Sequence, residues 1–219
     1  MKVTPEEAHA NDTKLRQQYG DILCGIDEVG RGSWAGPLVV GAVVLPKDVI
    51  IPKLTDSKQL SASLRESLAE EIKRVALAWT VYQIEAMSID RKGLTWANST
   101  ASYEAGKIIQ QSMNVDLFVL DQMPECGLTP NVMMAKADSL SHVVAAASCI
   151  AKTYRDNLMS ELSDEHPEYH FDAHKGYVSP VHKIAVRQHG RIRGVHRYSY
   201  KVDGINPDAG RGDLLRRKQ

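Results

Sequence analysis

Apolar and polar positions alternate along this chain in short runs and helical stripes. "DILCGIDEV" (21–29) and "PLVVGAVVLP" (37–46) are apolar runs joined by a glycine-rich stretch, and they predict two strands; "AWTVYQIEAMS" (78–88) predicts a third. Between the second and third, Leu64, Leu68, Ile72 and Val75 fall on one helical face, with Ser63 and Glu66 spaced as a capping box. From about 92 to 112, Leu94, Ala97, Ala101, Ala105, Ile108 and Ile109 mark a second amphipathic helix. "VDLFVLDQ" (115–122) is a continuous apolar run ending in an acid, the pattern of a strand buried on both faces in a parallel arrangement, and "NVMMAKAD" (131–138) predicts a further strand that also ends in an acid. From 139 to about 163, Leu140, Val143, Val144, Ala147, Ile150, Ala151, Tyr154 and Leu158 predict a long helix with an alanine-rich packed side, and Pro167 lies just past its end. Strands first and strand-helix alternation later predict a mixed sheet with helices on its faces.

The length, 219 residues, suits one sizeable domain, and no repeat or Pro/Gly/Ser-rich linker divides it. The expected organisation is an N-terminal extension over 1–20, a catalytic domain over 21–200 and a basic tail over 201–219. No apolar run approaches the ~20 residues of a membrane helix, and the N-terminus has no signal-type apolar segment, so a cytoplasmic monomer is expected. Cys24, Cys126 and Cys149 form no CxxC or Cys/His spacing, which argues against a disulfide framework or a zinc site. Net charge is zero but unevenly spread. Of 27 Lys and Arg, 11 fall from Lys175 onward, where only 3 of the 27 acids lie. An acidic body with a basic end suits phosphate contact, and a solvated basic tail explains the same pattern.

Three predicted strands end in acids: Asp27 with Glu28, then Asp121, then Asp138. If those strands are neighbours, four carboxylates converge at the strand ends where open α/β sheets form their sites. Without a cation they repel, and some pKa values must rise. An all-oxygen donor set with no paired His or Cys favours Mg²⁺ or Mn²⁺ over zinc. Each acid also has a plain reading. Asp27 suits a turn, Glu28 a solvent-facing strand position and Asp138 a helix N-cap, while Asp121, after four apolar residues, resists one. Asp116, at the other end of that strand, reads as structural. Gly30 and Gly32 around Arg31 leave room for a sugar-phosphate chain or shape a simple turn.

"GIDEVGRGSWAGPLVVGAVVL", "TDSKQLS", "FVLDQ", "AKADSLSHVVAAASCIAKTYRDNLM", "HPEYHFDAHKGY" and "GVHRYSY" together resemble the ribonuclease HII family, the type 2 ribonucleases H, in order and spacing over roughly 22–200. The resemblance implies an α/β ribonuclease H-like fold, with a central five-stranded mixed sheet flanked by helices. It implies cleavage of the RNA strand of RNA/DNA hybrids and incision 5′ of single ribonucleotides in duplex DNA, as in ribonucleotide and RNA primer removal. It places the family's metal-binding carboxylates on Asp27, Glu28, Asp121 and Asp138, working by a two-metal-ion mechanism with Mg²⁺ or Mn²⁺. It also implies that the backbone of Gly30, Arg31 and Gly32 reads the 2′-hydroxyl together with Tyr177, and makes Lys58, His174, Lys175, His196 and Arg197 candidate phosphate contacts. Arg155 and Asp156 are expected to be structural. Ser33, Ser57 and Ser148 show no partner pattern of a serine hydrolase. The chain departs from the family at Gln122 and Ala137, where glycine is usual, and at Ser33 and Trp34, the latter expected to alter how the flanking nucleotide packs. Alternatives are a catalytically weak hybrid-binding protein and another metal nuclease of the same fold.

Overall fold

The computed structural model describes residues 3–121 and 125–204. Gln122 and the tail from 205 onward lie outside the described residues. The elements run α1 (Pro5–Tyr19), β1 (Leu23–Val29), β2 (Leu38–Val44), α2 (Ala62–Val75), β3 (Ala78–Ile84), α3 (Ala86–Lys92), α4 (Leu94–Ser112), β4 (Leu117–Asp121), β5 (Asn131–Met134), α5 (Ala137–Leu140), α6 (His142–Glu165), α7 (Phe171–His174) and α8 (Pro180–His189). The five strands form one mixed sheet in the order β3-β2-β1-β4-β5. β1 is antiparallel to β2 and parallel to β4, and β4 is parallel to β5. Helices flank the sheet.

The chain forms two compact units. Among the described residues, one comprises the chain up to Val29, Val39–Gln83 and Asn98–Tyr154; the other comprises Gly30–Leu38, Ile84–Ala97 and 155–204. The first is built around β1, β2 and β4, whose residues are almost all enclosed, so these strands need no polar face. Helix α6 lies on them through Val143, Val144, Ala146, Ala147 and Ile150, each at most 2 % exposed. Such close approach has a requirement on the strand side: a Cβ at Gly25 would come within 2.3 Å of the Val143 backbone. Gly25 and the small residues of α6 bring this helix onto β1 two residues before Asp27 on the same pleat face.

Several boundaries differ from the periodicity reading. Helix α1 went unpredicted because its apolar stripe is thin, yet it carries a full start signal. Thr4 Oγ1 accepts from Glu7 N–H while Glu7 Oε2 accepts from Thr4 N–H, and Pro5 sits at the first turn. The cap of α2 is Ser61, whose hydroxyl accepts from Leu64 N–H, rather than Ser63. The third strand ends at Ile84, where α3 begins, and Gly93 separates α3 from α4. The run 131–138 is not one strand: β5 stops at Met134, Lys136 takes a left-handed conformation (φ 60°), and Asp138 lies inside the short helix α5 instead of at a strand end or N-cap.

The second unit has its own core of Trp34, Ala35, Met159, Tyr169, Phe171, Ala185 and Val186. Two backbone N–H groups, of Trp34 and Ala35, donate to Gly176 O at 2.8 and 3.1 Å, which pins the "SWAG" turn to "HKGY". α8 starts with the Ser179 hydroxyl accepting from His182 N–H and with Pro180 in its first turn. No element was predicted there, because its buried face includes His182 while Val181 and Ile184 face solvent.

Candidate active site

β1 and β4 deliver the first three acids. Their parallel register ends with Ile26 opposite Leu120, so one step further Asp27 and Asp121 leave neighbouring strands at the same end. Asp138 is brought to Asp121 by a backbone tie: Ala137 N–H donates to Asp121 Oδ1 at 3.0 Å. That bond uses only the backbone, so Ala137 can make it where the resemblance leads one to expect glycine. The left-handed turn falls on Lys136, and Ala137 is enclosed in ordinary helical geometry.

Asp27 is 4 % exposed, and burial raises its pKa well above the usual carboxylate range; Glu28, Asp138 and Asp121 push it further in the same direction. The Ser148 hydroxyl opposes this by hydrogen bonding to Asp27, and Ser148 in turn lies 2.8 Å from the Ser57 hydroxyl. These two serines belong to the site and were missed as such, since only the tertiary fold brings α6 and the "TDSK" segment to β1. Burial also raises Asp138, followed by Asp56, while Lys58 opposes. Lys58 Nζ lies 3.5 Å from Asp138 Oδ2. Burial alone would lower the Lys58 pKa, but Asp138, Asp56 and Asp27 outweigh it and the group is held above its ordinary value. A cavity of about 610 Å³ opens here, lined by Asp56, Lys58, Gln59, Asp121, Ala135, Lys136, Asp138 and Ser139.

Among the described residues, no three His, Cys, Asp or Glu side chains stand close enough together to hold a metal ion outright. Asp138 is turned toward Lys58 and Asp121 toward Ala137 N–H. The donor chemistry nevertheless fits a hard divalent cation: all four groups are carboxylates, and their mutual repulsion is what a cation would relieve. Lys58, 3.5 Å from Asp138, sets a positive charge beside these acids.

The second unit carries the glycine-arginine-glycine turn. Gly30 has φ 92°, and a Cβ there would lie 2.4 Å from Arg155 Nε. Arg155 fills that space because it is a clamp. Its guanidinium is fully buried and donates to Pro37 O, Lys175 O, Ser33 Oγ and Ala35 O at 2.8 to 3.0 Å. Arg31 and Gly32 are exposed, and a Cβ at Gly32 would meet only Tyr177 Cε1, at 4.0 Å. Tyr177 is 37 % exposed, with the Arg155 guanidinium 5.6 Å from its ring centre.

Of the proposed phosphate contacts, Arg197 and His196 are buried, and His174 and Lys175 are half-buried with their polar side-chain atoms already engaged. Arg197 is fully buried; its Nε donates to Gly36 O and its Nη1 to Arg31 O, both at 3.0 Å, so it shapes the turn from within. His196 is also fully buried. Its Nδ1 accepts from Ile192 N–H, which makes Nε2 the donor toward His182 Nε2 at 3.1 Å, and His182 Nδ1–H donates to Tyr177 O at 2.9 Å. His174 commits both ring nitrogens to backbone, accepting from Gly176 N–H and donating to Tyr169 O. Lys175, half-buried, donates to Asp156 O and Ser160 Oγ. Lys58, with 71 % of its side chain exposed, keeps an accessible cation. Trp34 is fully buried against His182 and His196, so it is core and cannot touch a nucleotide. Ser33 is buried too, its hydroxyl donating to Gly30 O. Asp116 is structural: its Oδ2 accepts from Ile22 N–H.

A sequence model of ribonuclease HII matches residues 24–203. Ribonuclease HII of Halalkalibacterium halodurans is 41 % identical over 196 residues, covering 90 % of this chain and 73 % of the relative. The structure of the PCNA:RNase HII complex from Archaeoglobus fulgidus contains a chain 26 % identical with a TM-score of 0.68, over 85 % of this chain and 98 % of that one. Ribonuclease H2 of Pyrococcus horikoshii OT3, 23 % identical, shares the fold with a TM-score of 0.69, over 90 % of this chain and all of that one. A family match across nearly the whole described chain, with a shared fold and with acids ending adjacent parallel strands, leads to one assignment: the chain belongs to the ribonuclease HII family and is an endonuclease of the ribonuclease H type.

Proposed function

We propose that this enzyme hydrolyses the RNA strand of RNA/DNA hybrids and incises 5′ of single ribonucleotides embedded in duplex DNA, leaving a 3′-hydroxyl and a 5′-phosphate. The observation that carries the chemistry is that Asp27 and Asp121 leave adjacent parallel strands at the same end, with Asp138 tied to Asp121 through the Ala137 N–H. In this reading those four carboxylates hold Mg²⁺ or Mn²⁺. When bound, two such cations supply the positive charge that activates water for in-line attack on phosphorus and stabilises the departing 3′ oxygen.

The protein's own groups do the rest. Asp27, fixed by Ser148 and enclosed on β1, provides an immobile carboxylate, while Asp121 and Asp138 are set by the Ala137 tie. Lys58, with its ammonium beside Asp138 and accessible to solvent, would meet a substrate phosphate. Selectivity falls to the turn that follows β1 in the chain. The exposed Arg31-Gly32 backbone and the Tyr177 ring beside Gly32 offer polar groups and a stacking face to a ribose, whose 2′-hydroxyl is the only group absent from deoxyribose.

One experiment separates this reading from its competitors. A duplex carrying a single ribonucleotide is compared with its all-DNA counterpart, in Mg²⁺ and in Mn²⁺. Incision 5′ of the ribonucleotide alone is expected. Equal cutting of both duplexes indicates a nuclease that ignores the sugar, and binding without cutting indicates a hybrid-binding protein.

A further inference from the structure

Asp138 has the least sheet support of the four acids. Asp27, Glu28 and Asp121 ride on strands, whereas Asp138 lies in α5, a helix of four residues that ends two residues before α6 begins. So short a helix has no stability of its own, and its geometry is set by whatever ties it down. One tie is the bond from Ala137 N–H to Asp121. The others come from α1 and from the loop before α2.

Asn11 Nδ2 donates to Leu140 O at 3.1 Å, and Asp12 Oδ2 accepts from Val143 N–H at 3.0 Å. The His9 ring stands edge-on to His142 at 6.1 Å, and Ile51 N–H donates to His142 Nε2 at 3.0 Å. Asp12 is fully buried, which is costly for a carboxylate. Burial raises its pKa, while the Ser141 hydroxyl, Val143 N–H and Arg16 hold the charged form. Simple packing of α1 would be served better by an apolar side chain. Nor is Asp12 needed to start α6, since the Ser141 hydroxyl accepts from Val144 N–H as a local cap. What Asp12 adds is a bond between α1 and the corner that joins α5 to α6. The family match begins only at residue 24, so α1 lies outside it.

We infer that α1 is part of the catalytic scaffold: Asp12 and Asn11 are positioning residues that fix the α5–α6 corner and so present the Asp138 carboxylate to the metal. The inference rests on the proposed role of Asp138. Neither α1 residue touches substrate or metal.

The test compares Asp12→Ala, Asp12→Asn, Asn11→Ala and Asp138→Asn, with hydrogen exchange of the metal-free protein and Mn²⁺ binding by electron paramagnetic resonance beside steady-state cleavage of a hybrid. Asp12→Ala should speed exchange at 138–144 and weaken Mn²⁺ binding, each by about five- to tenfold, the scale of one lost helix-end hydrogen bond. kcat should fall with KM unchanged, and exchange in β1 and β2 should stay as in the parent. Asp12→Asn keeps an acceptor oxygen and should recover most of both effects; Asn11→Ala should show a smaller version, and it decides the matter if Asp12→Ala does not fold. Unchanged Mn²⁺ binding and unchanged exchange at 138–144 overturn the inference, as does a uniform rise in exchange that includes β1 and β2. Asp138→Asn distinguishes the two failures. If it turns over normally, the metal-site reading itself falls and α1 loses its role with it; if it is inactive while Asp12→Ala is normal, only the α1 inference falls.

Discussion

Asp121 is the acid whose chemistry is easiest to isolate. Asp27 is almost fully enclosed, so its replacement mixes packing with chemistry, whereas Asp121 sits half-buried at the last position of β4, with one oxygen given to Ala137 N–H. Asparagine there can keep that bond through its amide oxygen and loses only the charge. Asp121→Asn should therefore lower turnover by at least about 10²-fold, the scale of one electrostatic contact made in the transition state, while hybrid affinity in a gel-shift assay stays within a few fold. Normal turnover would remove Asp121 from the metal site. Tyr177 permits a similar separation. It is exposed, beside Gly32, and contributes little to the core around Phe171, so Tyr177→Ala should reduce cleavage at an isolated ribonucleotide roughly tenfold or more. The melting temperature should move by only a few degrees. A large drop in melting temperature with intact selectivity would instead make Tyr177 a packing residue.

At the scale of elements, the decisive contact is α6 on β1. Gly25→Ala puts a methyl 2.3 Å from the Val143 backbone, and a backbone cannot rotate aside as a side chain can. The substitution should cost about 1 to 3 kcal/mol, read as a lower denaturation midpoint with an unchanged denaturant slope, and activity should fall because Ser148 on α6 loses its place against Asp27. The strands that carry the first three acids were legible because each is a continuous apolar run, and the alanine-rich side of α6 was legible from its spacing. Asp138 was placed on the wrong element, since a four-residue helix leaves no periodicity and the left-handed turn at Lys136 has no glycine to announce it. α1 was missed because its buried face includes Asp12 and Arg16, which read as surface. His196 and Arg197 misled for the same reason: polar residues in a basic segment look solvated until the fold shows their donors and acceptors consumed inside.

Across the whole molecule, these buried polar groups make stability depend on pH in a direction that can be worked out. Burial lowers the pKa of His142 and of His182 from 6.5 to about 4, and that of His196 to about 3. Each is therefore neutral in the folded protein at pH values where it is already charged in the unfolded chain. Their contribution is fully present above about pH 6.5, is lost progressively as pH falls, and stops changing once the native groups protonate near pH 4 and 3. Each unit of such depression is worth about 1.4 kcal/mol, and His182 and His196, in hydrogen-bond contact, titrate as a pair. Asp12, Asp27 and Asp138 act with the opposite sign: raised in the native state, they make the folded protein gain on the unfolded chain as pH falls. The parent's profile mixes both, so the histidine share must be read as a difference. His182→Gln with His196→Gln keeps neutral hydrogen-bonding side chains that cannot be charged. The double variant should be less stable than the parent at pH 7.5, and the gap should narrow steadily from pH 6.5 to 4. Urea midpoints measured at half-unit intervals give this directly. A gap that stays constant over that interval would mean the buried histidines are not held neutral by the fold.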